Sequence, residues 1–188
     1  MTHPRPATLA IALLTLLPLA ACVPNGGVPT ASPTPTMATP SATPTATPSP
    51  SEPARHTAAK DTVVRWWQTM DALSQSPDLP LDELLKVSRG TAYQTWGQAL
   101  QVRRVQGYKQ VGNTILISLA AQDAAPIEGR TVVTVAACYD VSKVNLVDAT
   151  GSSVVSPDRV PRAKAAYTVA QYTDGWFVVD DVTKGEPC

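Results

Sequence analysis

The stretch that decides the fold is Arg130-Thr-Val-Val-Thr-Val-Ala-Ala-Cys-Tyr-Asp-Val141. Its side chains alternate between two faces, a period of two residues that is typical of a β-strand. One face carries Val133, Val135, Ala137 and Tyr139, and the other carries Val132, Thr134, Ala136 and Cys138.

Upstream of this strand, two alternating segments are separated by the dipeptide Gly112-Asn113. They cover residues 108–111 and 114–121, and a glycine with asparagine between alternating segments predicts a two-residue hairpin turn. We expect Ile115, Ile117 and Leu119 to share one face of the second segment.

Downstream, the long strand is expected to continue through 144–147. Residues 148–161 are rich in turn-forming residues, and alternation returns at 162–173. Asp174-Gly175 predicts a tight turn, after which 176–183 closes the sheet. The second half of the chain therefore predicts an antiparallel meander.

Before Gly107 the apolar residues recur at helical spacing. The first predicted helix runs from Arg55 to Ser74, and Pro80 can open a second, short helix. A third is predicted from Ser88 to about Val105. The apolar stripe of the first helix consists of Ala59, Val63, Trp66, Trp67 and Met70. Helices followed by strands predict an α+β fold, with N-terminal helices packed on one face of a curved antiparallel sheet.

Near the N-terminus, Leu19-Ala20-Ala21-Cys22 follows an apolar run over 7–17. This run has the length of a signal-peptide core and is shorter than a membrane-spanning helix. Two small residues before a cysteine resemble the lipobox of bacterial lipoproteins. We therefore expect residues 1–21 to be a lipoprotein signal peptide and Cys22 to be lipidated. An uncleaved anchor helix and a plain secretory signal are the alternatives.

Residues 22–54 are rich in proline, threonine and serine and contain no aromatic residue. A segment with almost nothing to bury cannot offset its ordering entropy, so this composition predicts a disordered linker. Its simplest role is a spacer, with a specific recognition role as the alternative. The composition is also a cue for O-glycosylation.

Two cysteines remain after Cys22, namely Cys138 and Cys188. In an oxidising compartment an even pair is most simply a disulfide, and this one would fasten the C-terminus to the middle of the sheet. A redox or metal-binding role is the alternative, although the chain has no CxxC motif and no histidine beside either cysteine.

Charge and motifs exclude several functions. The chain has 15 Lys+Arg and 15 Asp+Glu, so no basic surface favours nucleic acid as a partner. It lacks a phosphate-binding glycine loop, a nucleophile elbow and a cluster with metal-ligand spacing. His56 would begin a helix beside the linker, where it could not be held rigidly. No cofactor, metal or catalytic residue is predicted.

The domain resembles the nuclear-transport-factor-two-like superfamily of cystatin-like α+β rolls. More narrowly, it resembles envelope lipoproteins of Gram-positive bacteria, of actinobacterial or prophage type. The residues that carry the resemblance are Cys22, Trp66-Trp67, Gly107, Gly112, Cys138-Tyr139-Asp140, Tyr167, Val169, Gly175-Trp176 and Cys188. It covers the mature chain and implies the roll at 55–188, but the superfamily includes both enzymes and proteins without chemistry.

Enzymes on such a roll use an Asp or a His–Asp pair inside the cone, lined by Tyr or Trp. The resemblance therefore directs attention to Tyr139, Asp140, Tyr167, Tyr172, Asp180 and Asp181. Asp180 and Asp181 are adjacent, so only one can point inward. We expect solvated or capping roles for these groups. Trp66, Tyr139 and Tyr167 are the residues expected to line a pocket, if the cone holds one.

The expected function is a non-enzymatic binding or interaction module at the outer face of the cell membrane. Its partners would be the membrane, through the lipid anchor, and an envelope protein or cell-wall component. The resemblance also implies a possible prophage-related surface function. The alternative is a small apolar-ligand binder or an isomerase-like enzyme that uses the cone. An open cone with an inward Asp or Tyr favours that alternative, and a cone filled by side chains favours the interaction module.

Overall fold

The computed structural model describes residues 52–188, apart from the side chains of Glu52 and Lys184. The predicted signal peptide, the lipidation site Cys22 and the predicted linker up to residue 51 lie outside the described residues. The first helix, α1, spans Glu52–Gln75, so it begins three residues before the predicted start at Arg55. Within 52–188, no helix combines the length and apolarity needed to cross a bilayer.

Two further helical segments follow α1. A 3-10 helix spans Leu81–Lys86, and Pro80 precedes it as the N-cap. The second α-helix, α2, spans Gly90–Val105, and Gly107 follows two residues later with a φ of 70°. The three predicted helical segments are confirmed, with the second in 3-10 form.

Six strands form two sheets. Four long strands make an antiparallel sheet in the order β2-β3-β5-β6, and two short strands, β1 and β4, form a separate antiparallel pair. Their bounds are β1 Lys109–Val111, β2 Ile115–Ile127, β3 Arg130–Asp140, β4 Asn145–Val147, β5 Arg162–Tyr172 and β6 Gly175–Pro187. The α+β class is confirmed, with the helices packed against an open antiparallel sheet.

The predicted hairpin at Gly112-Asn113 is wrong. β1 pairs with β4 in the small sheet, with Gln110 opposite Leu146, whereas β2 pairs with β3 in the large sheet. Side chains of α1 hold the connection: Gln75 donates 3.0 Å to the carbonyl of Gly112 and 2.6 Å to Oδ1 of Asn113. The chain therefore passes from one sheet to the other here, and β4 is a strand of the small sheet rather than a continuation of β3.

The predicted face of β2 is also wrong. Ile115 and Ile117 are about half exposed, at 51% and 49%, whereas Leu116 and Leu119 pack against the core. The pairing register shifts between Leu116 and Ser118, which marks a β-bulge at Ile117. One extra residue reverses which side chains point inward, so a strict period of two fails at this position.

The alternation predicted for β3 is confirmed. Val133 and Val135 are fully buried, and both belong to the main core with Ala137 and Tyr139. β5 contributes Ala163, Ala165, Tyr167 and Val169 to the same core. Helix α1 covers this inner face with Ala59, Val63, Trp66 and Met70. The inner face of the sheet and the apolar stripe of α1 therefore form the core.

The C-terminus is fastened to the sheet. The sulfur atoms of Cys138 and Cys188 are bonded, and the two Cα atoms lie 6.0 Å apart. Cys138 belongs to β3 and Cys188 follows β6, so the disulfide crosses over β5, which lies between those two strands.

Candidate functional site

Aromatic side chains fill the space between the two α-helices and the inner face of the sheet. Trp66 lies at the centre, with ring-centroid distances of 5.0 Å to Trp67, 5.5 Å to Trp96 and 5.3 Å to Tyr167. Tyr139 completes the group, 5.2 Å from Trp67. Trp66 meets Trp67 and Trp96 edge to face, the arrangement that aromatic quadrupoles favour. We call these five residues the aromatic cluster.

The three residues expected to line a pocket are thus brought together, but in a packed interior. Trp66 and Tyr167 are 0% and 1% exposed, and Tyr139 is 9% exposed. None of the three lines the cleft that is described below. The interior between the helices and the sheet is filled by side chains at these positions.

Hydrogen bonds fix the outer members of the aromatic cluster. Nε1 of Trp67 donates 2.8 Å to the hydroxyl of Tyr167, and Nε1 of Trp96 donates 2.7 Å to Oδ1 of Asp181. Nε1 of Trp66 is buried and has no hydrogen-bond acceptor among residues 52–188. Two of the three indole N–H groups therefore point inward to a polar partner.

Asp181 is the inward member of the adjacent carboxylate pair. It lies opposite Tyr167 in the sheet register, whereas Asp180 is exposed and lies opposite Thr168. Burial raises the pKa of Asp181, and the hydrogen bond from Trp96 opposes that rise. Burial also raises the pKa values of Tyr139 and Tyr167. The interior therefore favours the neutral forms of all three groups.

The other two candidates lie on the opposite side of the sheet or at its end. Asp140 accepts hydrogen bonds from the backbone of Ser142 at 2.7 Å and from Arg162 at 2.8 Å. Its pKa falls to about 2, first because of the Ser142 hydroxyl, and then because of the Ser142 backbone and Arg162. Tyr172 packs edge-on against Phe177 beside the last turn. Asp140 fits the expected capping role, whereas Tyr172 packs against Phe177 rather than having a solvated or capping role.

A cleft of about 340 Å³ opens beside the aromatic cluster. Trp67 and Trp96 form part of its wall, while their N–H groups are directed to Tyr167 and Asp181, which do not line it. Its apolar lining is completed by Met70, Val141, Val144, Leu146, Val154 and Val155. The cleft thus lies among α1, α2, the small sheet and the loop that follows β4.

Two guanidinium groups and one carboxylate supply the charge in this cleft. Nη2 of Arg159 donates to the carbonyls of Val141 and Val144. This arginine therefore connects the loop after β4 to the segment between β3 and β4. Arg103 projects from the last turn of α2, and burial lowers its pKa. Within residues 52–188, the Arg103 guanidinium has no hydrogen bond or ion pair.

The carboxylate of the cleft belongs to Asp71, which is 7% exposed. It accepts three hydrogen bonds: 2.7 Å from Gln110 Nε2, 2.8 Å from the Thr114 backbone and 3.0 Å from the Thr114 hydroxyl. These bonds join α1 to β1 and to Thr114, the residue just before β2. Asp71 is therefore a structural group whose acceptor capacity is used by the protein itself.

The sequence did not point to Arg103, Arg159 or Asp71. Arg103 lies seven residues after Trp96, two helical turns away on the same face of α2, and this spacing was the available signal. Arg159 and Asp71 reach the cleft through the pairing of β1 with β4, which the sequence pattern did not predict. Among residues 52–188, no group of three or more His, Cys, Asp or Glu side chains could hold a metal ion.

The chain matches no protein-family model and no curated protein. It is similar to the solved intermembrane-space region of the chloroplast protein ARC6, with 16% identity and a TM-score of 0.51. That likeness covers 68% of this chain and 95% of the other. A second solved structure, Aln2 from a Streptomyces species, has 14% identity and a TM-score of 0.40, with 71% and 91% of the chains covered. The likeness to the ARC6 region shows a shared α+β fold.

Proposed function

We propose that this protein is a lipid-anchored, extracytoplasmic interaction module of the cell envelope that performs no chemistry of its own. The observation that carries the proposal is the packing of the aromatic cluster. Trp66 and Tyr167 are buried, and they fill the interior in which the resemblance to the roll superfamily would place an enzyme's substrate. The inward carboxylate of Asp181 is engaged by Trp96 and lies behind the wall of the cleft.

The fold neighbour gives coarse support. The solved ARC6 domain is described as an intermembrane-space region, so the same fold occurs as a domain of an envelope compartment. The identity of 16% carries no residue of that protein over to this chain. The neighbour is compatible with a non-enzymatic envelope module.

Anchoring is the second part of the proposal, and it rests on the sequence around Cys22. Bacterial lipoproteins carry two or three acyl chains on such a cysteine, and stable membrane attachment needs more than one chain. The segment 22–51, rich in proline and threonine, would then act as a spacer between the membrane and the domain. The disulfide between Cys138 and Cys188 suits an oxidising compartment.

Membrane fractionation tests the anchor directly. We expect the wild-type chain to fractionate with membranes and the Cys22→Ala variant to be lost from them. Mass spectrometry of the mature N-terminus should show a species that begins at Cys22 with added acyl mass. A Cys22→Ala variant that behaves as the wild type, or a mature chain without acyl mass, would contradict anchoring at this residue.

Interaction is tested by cross-linking in intact envelope, followed by purification of the lipidated protein. The control is the double variant Cys138→Ser, Cys188→Ser. It keeps the lipidation site Cys22 and lacks the disulfide, so it separates the effect of the anchor from that of the disulfide. Asp181→Asn separates the enzyme alternative, because it removes the inward acid and keeps an acceptor for Trp96. Retention of the same cross-linked partners by a folded Asp181→Asn variant supports the module, and their loss would count against it.

A prophage-related surface function belongs to this proposal through the sequence resemblance alone. If the gene is borne by a prophage, we expect its expression to reduce plaque formation by related phages. Equal plaque counts with and without expression would exclude that role and leave the anchored module in place.

The second candidate, a small-ligand binder, is favoured by one specific observation, the cleft beside Trp67 and Trp96. Its volume of about 340 Å³ lies in the range of small-molecule sites, and its lining is mostly apolar with a few polar groups. It lies outside the filled interior, so it needs no opening of the aromatic cluster.

A further inference from the structure

The unpaired Arg103 identifies the chemistry of what enters this cleft. We propose that the cleft binds a carboxylate carried on an apolar body, with Arg103 pairing the carboxylate and the walls of Trp67 and Trp96 packing on the body. This inference rests on the proposed function: a peptide C-terminus would be a partner of the interaction module, and a free organic acid would be the ligand of the second candidate. It is argued from the position of one cation, from the composition of the cleft and from the lack of a paired anion among residues 52–188.

The positive charge of Arg103 has no negative partner among residues 52–188. Arg103 is partly buried, and taking a charge out of water is costly unless a partner of opposite charge compensates. The one carboxylate in the cleft, Asp71, is occupied by Gln110 and Thr114 and forms no ion pair with Arg103. The guanidinium of Arg103 is therefore a partly desolvated hydrogen-bond donor that a ligand in the cleft can reach.

Among residues 52–188, no described carboxylate pairs with Arg103. Residues 1–51 contain no Asp and no Glu. Glu52 begins α1, about 27 Å along the helix from Met70, which lines the cleft. A ligand or a partner would therefore supply the counter-charge that the described residues do not give to Arg103.

A carboxylate fits this site better than a neutral or cationic group. The planar guanidinium matches a carboxylate through two parallel hydrogen bonds, and such charge-assisted bonds are stronger than neutral ones. Arg159, the second guanidinium of the cleft, adds positive potential and repels cations. The apolar lining by Met70, Leu146 and Val155 demands a body without charge next to the carboxylate.

Two sources offer this chemistry, namely the C-terminus of a short peptide and a free organic acid. The probes are matched pairs that differ only in charge: N-acetyl-Leu-Val and its C-terminal amide, and 4-phenylbutyrate and its amide. The full chain in a neutral detergent is titrated by calorimetry, with empty micelles as the blank. Tryptophan fluorescence provides a second readout, because Trp67 and Trp96 line the cleft.

We expect at least one acid to bind about tenfold or more tightly than its amide, which is the scale of one charge-assisted pair. The pair that shows this preference identifies the source. Arg103→Gln should abolish the preference, and Arg103→Lys should retain part of it. Arg130→Gln is the control, because it removes the same charge at the β2–β3 hairpin, outside this cleft, and should bind as the wild type does.

Equal binding of acid and amide, or no binding of any probe at millimolar concentration, would overturn the proposal. So would an unchanged acid preference in a folded Arg103→Gln variant, with folding checked by near-ultraviolet circular dichroism. These titrations use purified protein, so they are independent of anchoring. If Cys22→Ala fractionates as the wild type while the acid preference persists, the proposed anchoring fails and the site stands.

Discussion

Nε1 of Trp67 donates a 2.8 Å hydrogen bond to the hydroxyl of Tyr167, one hundred residues further along the chain. The bond joins α1 to β5, the strand that lies between β3 and β6 in the large sheet. It also orients Trp67 so that the indole can line the cleft while its N–H points away from it. The packed interior and the wall of the cleft thus share one side chain.

Tyr167→Phe tests this bond. The variant keeps the ring that packs on Trp66 but leaves the Trp67 N–H without its acceptor, so we expect a loss of about 1 kcal/mol or more in the free energy of unfolding. Urea unfolding measures it. The control is Tyr172→Phe, because the Tyr172 hydroxyl has no hydrogen bond among residues 52–188, and we expect a change within about 0.5 kcal/mol. Equal effects in the two variants would contradict a role for the bond.

The sequence predicted the parts of this fold that follow from local periodicity. The apolar stripe of α1 and the alternation of β3 each continue for several repeats, so both the type of element and its inner face were predicted. Asp180 and Asp181 followed the same rule, since adjacent strand residues point to opposite faces. Long regular segments carry enough repeats to outweigh one irregular residue.

The irregular positions could not be predicted in this way. The bulge at Ile117 changes which side chains of β2 point inward partway along the strand. No glycine or proline marks its position in the sequence. The transfer of β1 to a second sheet depends on Asp71 and Gln75, far upstream in α1, which hold the residues around Gly112 against that helix. The cleft and Arg103 depend on that second sheet, so the site was beyond a local sequence pattern.

Gly112→Ala tests whether the two-sheet arrangement depends on a close approach at this glycine. Gly112 has a φ of 82°, and a Cβ there would meet the carbonyl oxygen of Lys143 at 2.1 Å. We expect a loss of about 3 kcal/mol or more, measured by thermal or urea unfolding, because both the backbone conformation and the contact oppose a side chain. The amide of Gln110, which lies in β1 opposite Leu146 of β4, should show the change in amide exchange.

The control for that variant is Gly129→Ala. Gly129 also has a positive φ, at 74°, but no atom lies within 4 Å of the position its Cβ would take. It therefore measures the conformational cost alone, about 1–2 kcal/mol. If Gly112→Ala costs no more than Gly129→Ala, the close contact with Lys143 does not constrain the connection between the sheets.

Removal of the disulfide should loosen the end of β6 and lower stability. Cys138 and Cys188 are 50 residues apart in sequence, and a closed loop of that size contributes up to about 4 kcal/mol in the chain-entropy description. We expect Cys138→Ser with Cys188→Ser to lose about 2–4 kcal/mol in urea unfolding. Amide exchange near Pro187, which lies opposite Ala163, should rise first. Unchanged stability would mean that the strand pairing alone holds the C-terminus.

Asp140 should make the protein less stable in acid. Its folded pKa of about 2 lies below the ordinary aspartate value of about 3.9, so its charged form stabilises the fold. That contribution is present above about pH 4 and is lost as the pH falls toward about 2. We expect the difference in stability between wild type and Asp140→Asn to shrink over this interval. Asp158→Asn is the control variant, because it removes the same charge at an exposed carboxylate without a hydrogen bond in residues 52–188.

Asp181 should affect stability in the opposite direction to Asp140, because its charged form destabilises the fold. Burial raises its folded pKa, so the folded state holds the proton more tightly than the unfolded chain, and the ionised carboxylate opposes folding at neutral pH. Asp181→Asn removes that charge and keeps an oxygen that accepts from Trp96 Nε1. We expect the variant to be more stable than the wild type at pH 7, with an advantage that shrinks as the pH falls toward 4.

Urea unfolding of Asp181→Asn at both pH values, beside the exposed neighbour variant Asp180→Asn, measures this effect. If only Asp181→Asn raises the free energy of unfolding at pH 7, the charge of Asp181 beside the aromatic cluster is what destabilises the wild type. A greater loss at pH 7 than at pH 4 would instead show that the interior stabilises the ionised acid. An ionised inner carboxylate beside Tyr139 and Tyr167 would be the arrangement of a general base, so this outcome would count against a module without chemistry.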